Sequence, residues 1–201
     1  MNIDNFEIYG FKANITDVRK TLDFIENLKK DYNCIIQIFD AKHIATKNHI
    51  RHSIYQAINA FNRKKNLAND FSVEMILRAS AQRQISKAFN ILGIKKGKMD
   101  LCIVIYNPSS EIYNELSSKF TRDDSVLSSD TSILQKVYDI SDEELSIIHI
   151  ENILIDKITK LNVDYWWIFT FSINSSKTSF FKLDGFKFLI SIAIAFSLTL
   201  L

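Results

Sequence analysis

The sequence predicts an α+β (mixed αβ) fold: a single domain with a small mixed sheet flanked by helices, followed by an atypical apolar C-terminal tail. Three observations predict it. Short apolar runs with strand character, at residues 6–13, 34–39 and 101–106, alternate with segments of helical periodicity. No internal repeat or low-complexity linker interrupts residues 1–162. The chain has 201 residues, 47% apolar and 24% charged, which is ordinary globular composition and enough for one good-sized core. The character changes at Tyr165, so the expected organisation is one domain over residues 1–162 and an extension over 163–201.

The elements follow in order. Phe6-Glu7-Ile8-Tyr9-Gly10-Phe11-Lys12-Ala13 alternates well enough for a strand. Thr16 is placed to cap a helix reaching about Lys30, with Val18, Leu22, Ile25 and Leu28 on one face. Residues 34–39 read as a buried strand. From Lys47 to Lys65 runs a helix whose stripe of Ile50, Ile54, Ala57, Ile58 and Phe61 faces the core. Asn69 or Asp70 opens the next helix, with Val73, Ile76 and Leu77. A third helix repeats Ile85, Ala88, Phe89 and Leu92 as its core face and stops at Gly93. Lys95 to Lys98 make a basic turn around Gly97 before the strand 101–106, which Asn107-Pro108-Ser109 ends. Ser109 or Ser110 caps a short helix to about Lys119, and Val126 and Leu127 suit a short strand. Ser132 to Tyr138 is helical. Ser141-Asp142-Glu143-Glu144 is a strong start signal for a last helix that reaches about Leu161.

Cys34 and Cys102 each lie inside an apolar run and read as small buried hydrophobes, not as a disulfide framework. The chain starts with neither a basic n-region nor an apolar h-region, so the expected location is cytoplasmic. The tail contains Tyr165-Trp166-Trp167 and ends in an uncharged run, Phe188 to Leu201. As a helix those fourteen residues rise roughly 21 Å, short of the ~30 Å hydrocarbon core. Membrane contact through residues 188–201 is therefore open but not the favoured reading. A core-packing or poorly ordered extension, or a frame end not native to the domain, are the others.

Residues 42–98 carry twelve Lys/Arg against two acids, Asp70 and Glu74. That segment is +10 while the whole chain is +2, so the remainder is −8. A charge divided this way implies one positive face, which attracts polyanions through counterion release. Catalytic chemistry is scarce. There is no Gly-rich phosphate loop, and no cofactor is expected with four glycines in the chain. His49 and His52, three residues apart, lack further metal ligands, and a polar stripe of His52, Gln56, Asn59 and Arg63 is the plainer reading. Asp123-Asp124 sits beside Arg122 in a turn context. Ser53, Ser80 and Ser86 have no evident His/Asp partners. The chain reads as a non-enzyme. Binding chemistry is better supplied: Arg83 and Lys87, Arg78 before them, Lys95, Lys96 and Lys98 after them, and the Arg63-Lys64-Lys65 run. These clusters converge if the helices pack as consecutive antiparallel neighbours.

The run from Glu74 through Leu77, Ser80 and Arg83-Gln84-Ile85 to Phe89, then Leu92-Gly93-Ile94-Lys95, resembles the small tRNA-binding subunit of the archaeal KEOPS complex, the PRPK-binding protein family. His49-Ile50, Asn66-Leu67-Ala68-Asn69 and Asp123-Asp124-Ser125-Val126-Leu127 are further matching pieces, and the resemblance covers residues 6–162. One departure is Ala81, where many members carry glycine. It bears on the flexibility of the helix boundary or on how Arg83 is presented. The tail has no counterpart in that family.

The resemblance implies a non-catalytic regulatory subunit in the formation of N6-threonylcarbamoyladenosine beside the tRNA anticodon. A separate subunit transfers the threonylcarbamoyl group, and a small atypical kinase acts as an ATPase switch. The subunit resembled here docks on the kinase and captures the 3′ CCA end of tRNA. On that reading Arg78, Arg83, Lys87, Lys95 and Lys96 contact the acceptor end, with His49, Arg63 and Lys64 nearby. The alternative is a kinase-binding regulatory module without significant tRNA binding, its apolar surface formed by Phe71, Met75 and Leu77. An independent enzyme would need a convergent polar site that the sequence does not offer.

Overall fold

In a computed structural model, the described residues, 1–162, form four strands and eight α-helices. The strands are β1 (Phe6–Ile15), β2 (Ile35–Asp40), β3 (Gly97–Tyr106) and β4 (Thr121–Arg122). The helices are α1 (Val18–Asp31), α2 (Lys47–Asn62), α3 (Phe71–Ala79), α4 (Ile85–Leu92), α5 (Ser110–Lys119), α6 (Thr131–Tyr138), α7 (Asp142–Ile147) and α8 (Ile150–Lys160). The sheet order is β2-β3-β1-β4. A mixed sheet is expected from the sequence, yet all three pairings are antiparallel. The expectations for residues 163–201 lie outside the described residues.

Period-two alternation on β3 places the two cores. Leu101, Ile103 and Ile105 point into one, with Phe11, Ile25, Ile36 and the α5 residues Ile112 and Leu116. Cys102 and Val104 point into the other, with Phe39 from β2 and Ile50, Ile54, Met75, Leu77 and Leu92 from α2, α3 and α4. Because both faces are covered, Leu-Cys-Ile-Val-Ile reads as a continuous apolar run. A third cluster joins Ala45, Tyr138, Ile150 and Leu154 under α6 and α8. Both cysteines are free; Cys102 is buried and Cys34 half-buried, and burial pushes both thiol pKa values up.

Caps explain most helix starts. The Thr46 hydroxyl accepts from the Asn48 and His49 N–H groups, Asp70 from Val73, Ser109 from Ile112, and Ser141 closes a capping box with Glu144. The first helix is capped by Asp17 rather than Thr16, and its Leu22 is 47% exposed. The last expected helix is two. After α7, which buries nothing, Ile148 is extended and the His149 ring caps α8, so that Ile150, Ile153, Leu154 and Ile158 turn inward.

Val126 and Leu127 fall in a 3₁₀ turn, Asp124–Leu127, instead of a strand. Asp124 Oδ1 accepts the Gly10 N–H at 2.7 Å, so a carboxylate takes the donor that a strand partner would need. Gly10 admits this approach because a Cβ there would lie 2.4 Å from the Asp123 carbonyl oxygen. The Asp123-Asp124 pair is a clasp: Asp123 pairs with Lys12 at 2.6 Å, and Asp124 pairs with Arg122 and Lys47.

Helix α3 ends in a Schellman motif. The Gln82 N–H donates to the Leu77 carbonyl and the Ala81 N–H to that of Arg78, with Ala81 at φ 51°. An L-residue there costs about 1–2 kcal/mol, partly offset because alanine leaves the unfolded chain less entropy to lose. Ala81→Gly is expected to raise unfolding stability by about 0.5–1 kcal/mol, measured by denaturant titration. A loss of stability would contradict the strain at this position.

Candidate nucleic-acid interface

Of the basic residues singled out by the sequence, Arg63, Lys64, Arg83, Lys87, Lys95 and Lys96 are exposed. Lys64 takes the left-handed position (φ 54°) of a second Schellman motif, which projects it from the end of α2. Arg83 stands in the short connection before α4, and its Nη2 donates to the Leu161 carbonyl at 2.9 Å. It is thereby held against the C-terminal end of α8. Lys87 follows on α4.

The structure removes two of the expected contacts. Arg78 is 1% exposed. Its Nε donates to Glu74 Oε1 at 2.8 Å and its Nη1 to Asn162 Oδ1 at 2.6 Å. The other Glu74 oxygen accepts the Leu67 and Ala68 N–H groups at 2.7 and 2.8 Å. His49 is likewise fully buried: its Nδ1 accepts the Ala45 N–H at 3.2 Å and its Nε2 lies 2.9 Å from the Ala79 carbonyl oxygen. The Tyr138 ring meets it edge-on, and the Tyr138 hydroxyl donates to the His43 carbonyl at 2.8 Å. Both residues hold the domain together from inside and present nothing to a polyanion.

Phe71, Met75 and Leu77 are also buried, at 7%, 0% and 0% exposure, so they are core and not a partner surface. Helix α3 is apolar nearly all round, and such a helix belongs inside. The polar stripe on α2 is covered in part by α8. Gln56 is buried and accepts from Asn162 Nδ2 at 2.7 Å, and His52 Nε2 lies 3.0 Å from Thr159 Oγ1. Among the described residues, no group of three His, Cys, Asp or Glu is placed to hold a metal ion.

Two exposed apolar features escape sequence reasoning. Ile85 and Phe89, expected in the core, are 50% and 41% exposed. Only Ala88 and Leu92 of α4 are buried. Ile85 and Phe89 sit at the shoulder of that stripe, and at 100° per residue Lys87 is roughly 160° around the helix from Phe89. Ile147 and Ile148, at 81% and 41%, stand at the junction of α7 and α8 beside Asp142, Glu143 and Glu144.

The basic block also divides in space. Lys95, Lys96 and Lys98 line an open cleft of about 860 Å³ together with Lys12, Lys42 and the Ser125–Asp130 loop. This cleft adjoins the start of α2, where Lys47 reaches Asp124 at 3.5 Å. Arg63 and Lys64 follow the other end of α2, roughly 24 Å away along its sixteen residues. The expected single convergence is therefore replaced by two cationic regions.

Removing one member of a buried ion pair strands the other charge. Arg78→Ala should destabilise the fold by about 3–5 kcal/mol in chemical denaturation, whereas Arg83→Ala should cost under ~1 kcal/mol. Burial lowers the His49 pKa to about 4, below the ~6.5 of an unfolded chain. Between these values the unfolded chain binds the extra proton, so stability falls as pH drops through about 6.5 toward 4. His49→Gln lacks this linkage. The stability difference between the parent and this variant should shift against the parent by about 2–3 kcal/mol from pH ~7 to ~4.5, and a constant difference would contradict the assignment.

A family profile described as "Kinase binding protein CGI-121" matches residues 13–160. The chain is also 40% identical over 91 residues to "Regulatory protein Cgi121" of Methanocaldococcus jannaschii, covering 45% of this chain and 59% of that relative. The matched segment thus spans about three-fifths of the relative's length. The profile extends from within β1 to the last turn of α8, nearly the whole described domain. On that coverage the chain belongs to the CGI-121 family of kinase binding proteins.

Proposed function

We propose that this protein is a non-catalytic KEOPS subunit. In this reading it holds the 3′ CCA end of tRNA and a small kinase/ATPase, and so supports N6-threonylcarbamoyladenosine formation next to the anticodon. The observation that carries the tRNA contact is the exposed strip at α4. Arg83 is anchored on the Leu161 carbonyl, Phe89 offers a part-exposed ring, and Lys87 adds charge on nearly the opposite side of α4. An unpaired end needs backbone charge and a surface for base stacking, and no catalytic group. Arg63 and Lys64 extend the charge for the adjoining acceptor stem.

The kinase contact rests on family membership and on Ile147–Ile148, an exposed apolar pair with an acidic flank. The second reading, a kinase-binding regulatory module without significant tRNA binding, draws on the same pair. It makes the cationic strip incidental.

Charge reversal separates the readings. Arg83→Glu should weaken tRNA binding tenfold or more, a change of about 1.4 kcal/mol or larger, and flatten its salt dependence while kinase co-purification persists. Ile147→Asp should do the opposite. Unchanged tRNA affinity in Arg83→Glu would leave the kinase-binding reading alone.

A further inference from the structure

We propose that the cleft at the start of β3 is a second binding site, separate from the α4 strip, for a multiply charged phosphoryl anion such as pyrophosphate or the phosphate chain of a nucleotide. The cleft is framed by the 3₁₀ turn Ala41–His43, the Lys95–Gly97 turn, the start of β3 and the Ser125–Asp130 loop. At about 860 Å³ it lies within the size range of small-ligand sites.

Its charges are unequally committed. Lys12 is matched by Asp123 at 2.6 Å and faces Asp100 across the β1–β3 ladder. Asp40 is buried, accepts the Lys42 N–H at 3.1 Å and lies 3.7 Å from His43 Nδ1. Asp130 is spent as the cap of α6, accepting the Ser132 N–H at 2.7 Å. Among the described residues, Lys42, Lys95, Lys96 and Lys98 form no ion pair. The lining carries Lys12, Lys42, Lys95, Lys96 and Lys98 against Asp40, Asp100 and Asp130, with Lys42 and Lys95 near enough to Asp40 to favour its charged form, so the concavity keeps a net positive charge that a polyvalent anion offsets.

The turn is shaped to present them. Gly97 adopts φ 122°, a conformation closed to other residues without strain, at the first position of β3 directly after the bend at Lys96. Lys95 is fixed by its backbone N–H, which donates to Met99 Sδ at 3.0 Å. Among the described residues, the only aromatic ring on the lining is that of His43, whose Nδ1 is 2.6 Å from the Ile91 carbonyl oxygen. Recognition therefore falls on phosphoryl oxygens, with nothing to grip a base.

Isothermal titration of the full chain with pyrophosphate, ADP and sulfate in a chloride buffer tests this. The expected result is saturable binding of pyrophosphate and ADP with similar affinity, and much weaker binding of sulfate. Lys42→Gln/Lys98→Gln should weaken pyrophosphate at least tenfold while tRNA affinity stays within about twofold. Arg83→Glu should leave pyrophosphate binding intact, so failure here and failure of the tRNA reading are distinguishable. Absence of pyrophosphate binding, binding of ADP alone, or equal loss in Arg83→Glu and in the lysine double variant would overturn the proposal.

Discussion

The buried Glu74–Arg78 ion pair is the interaction on which the rest of the domain depends. Two charges taken out of water cost several kcal/mol each, and their attraction offsets this only if every remaining lone pair and N–H is used. Here they are used. Glu74 gathers the Leu67 and Ala68 N–H groups, which closes the loop between α2 and α3. Arg78 reaches Asn162, which in turn holds Gln56 on α2. One i,i+4 pair on α3 therefore fixes a loop, the end of α8 and the middle of α2. Because Arg83 rests on the Leu161 carbonyl, the position of the exposed guanidinium follows from the buried one. Among the described residues no buried side-chain nitrogen or oxygen lacks a partner, as a network of this kind requires.

This arrangement explains why the sequence was legible at some levels and misleading at others. Strand alternation, helix periodicity and the short caps at Thr46, Asp70, Ser109 and Ser141 are local signals, and the local structure obeys them. The misreadings have tertiary causes. Val126 and Leu127 have strand chemistry, but the Asp124 carboxylate takes the backbone donor a strand would use. The α7–α8 break is set by burial of one face of α8 alone. Ile85 and Phe89 fit a helical apolar stripe, yet α4 is so short that Ala88 and Leu92 suffice to seat it. The apolar surplus of Phe71, Met75 and Leu77 was itself the sign of a helix buried on all sides.

The candidate site was legible as a charge excess and not as a geometry. Arg78 and Arg83 look alike in sequence, five residues apart in one basic run. Only Glu74, one helical turn before Arg78, separates their fates. His49 carries no comparable signal, since of its two backbone partners only Ala45 is local and the other, Ala79, lies thirty residues on. The residues that make the family motif most recognisable, Glu74, Ser80 and His49, thus serve the frame. The surface they support is the less conspicuous Arg83-to-Phe89 segment. Long-range structure also splits the +10 block, because α2 sets the Lys95–Lys98 cleft and the Arg63–Lys64 end far apart.

The central claim is that this surface captures an unpaired tRNA end and is not merely positive. The most direct measurement is the affinity of the full chain for tRNA with and without its terminal CCA, at low and moderate salt. Capture predicts a loss of tenfold or more on removing CCA, a loss that persists as salt rises because stacking is not screened. Equal affinities for the two RNAs, both falling steeply with salt, would contradict it and reduce the cationic strip to general electrostatics.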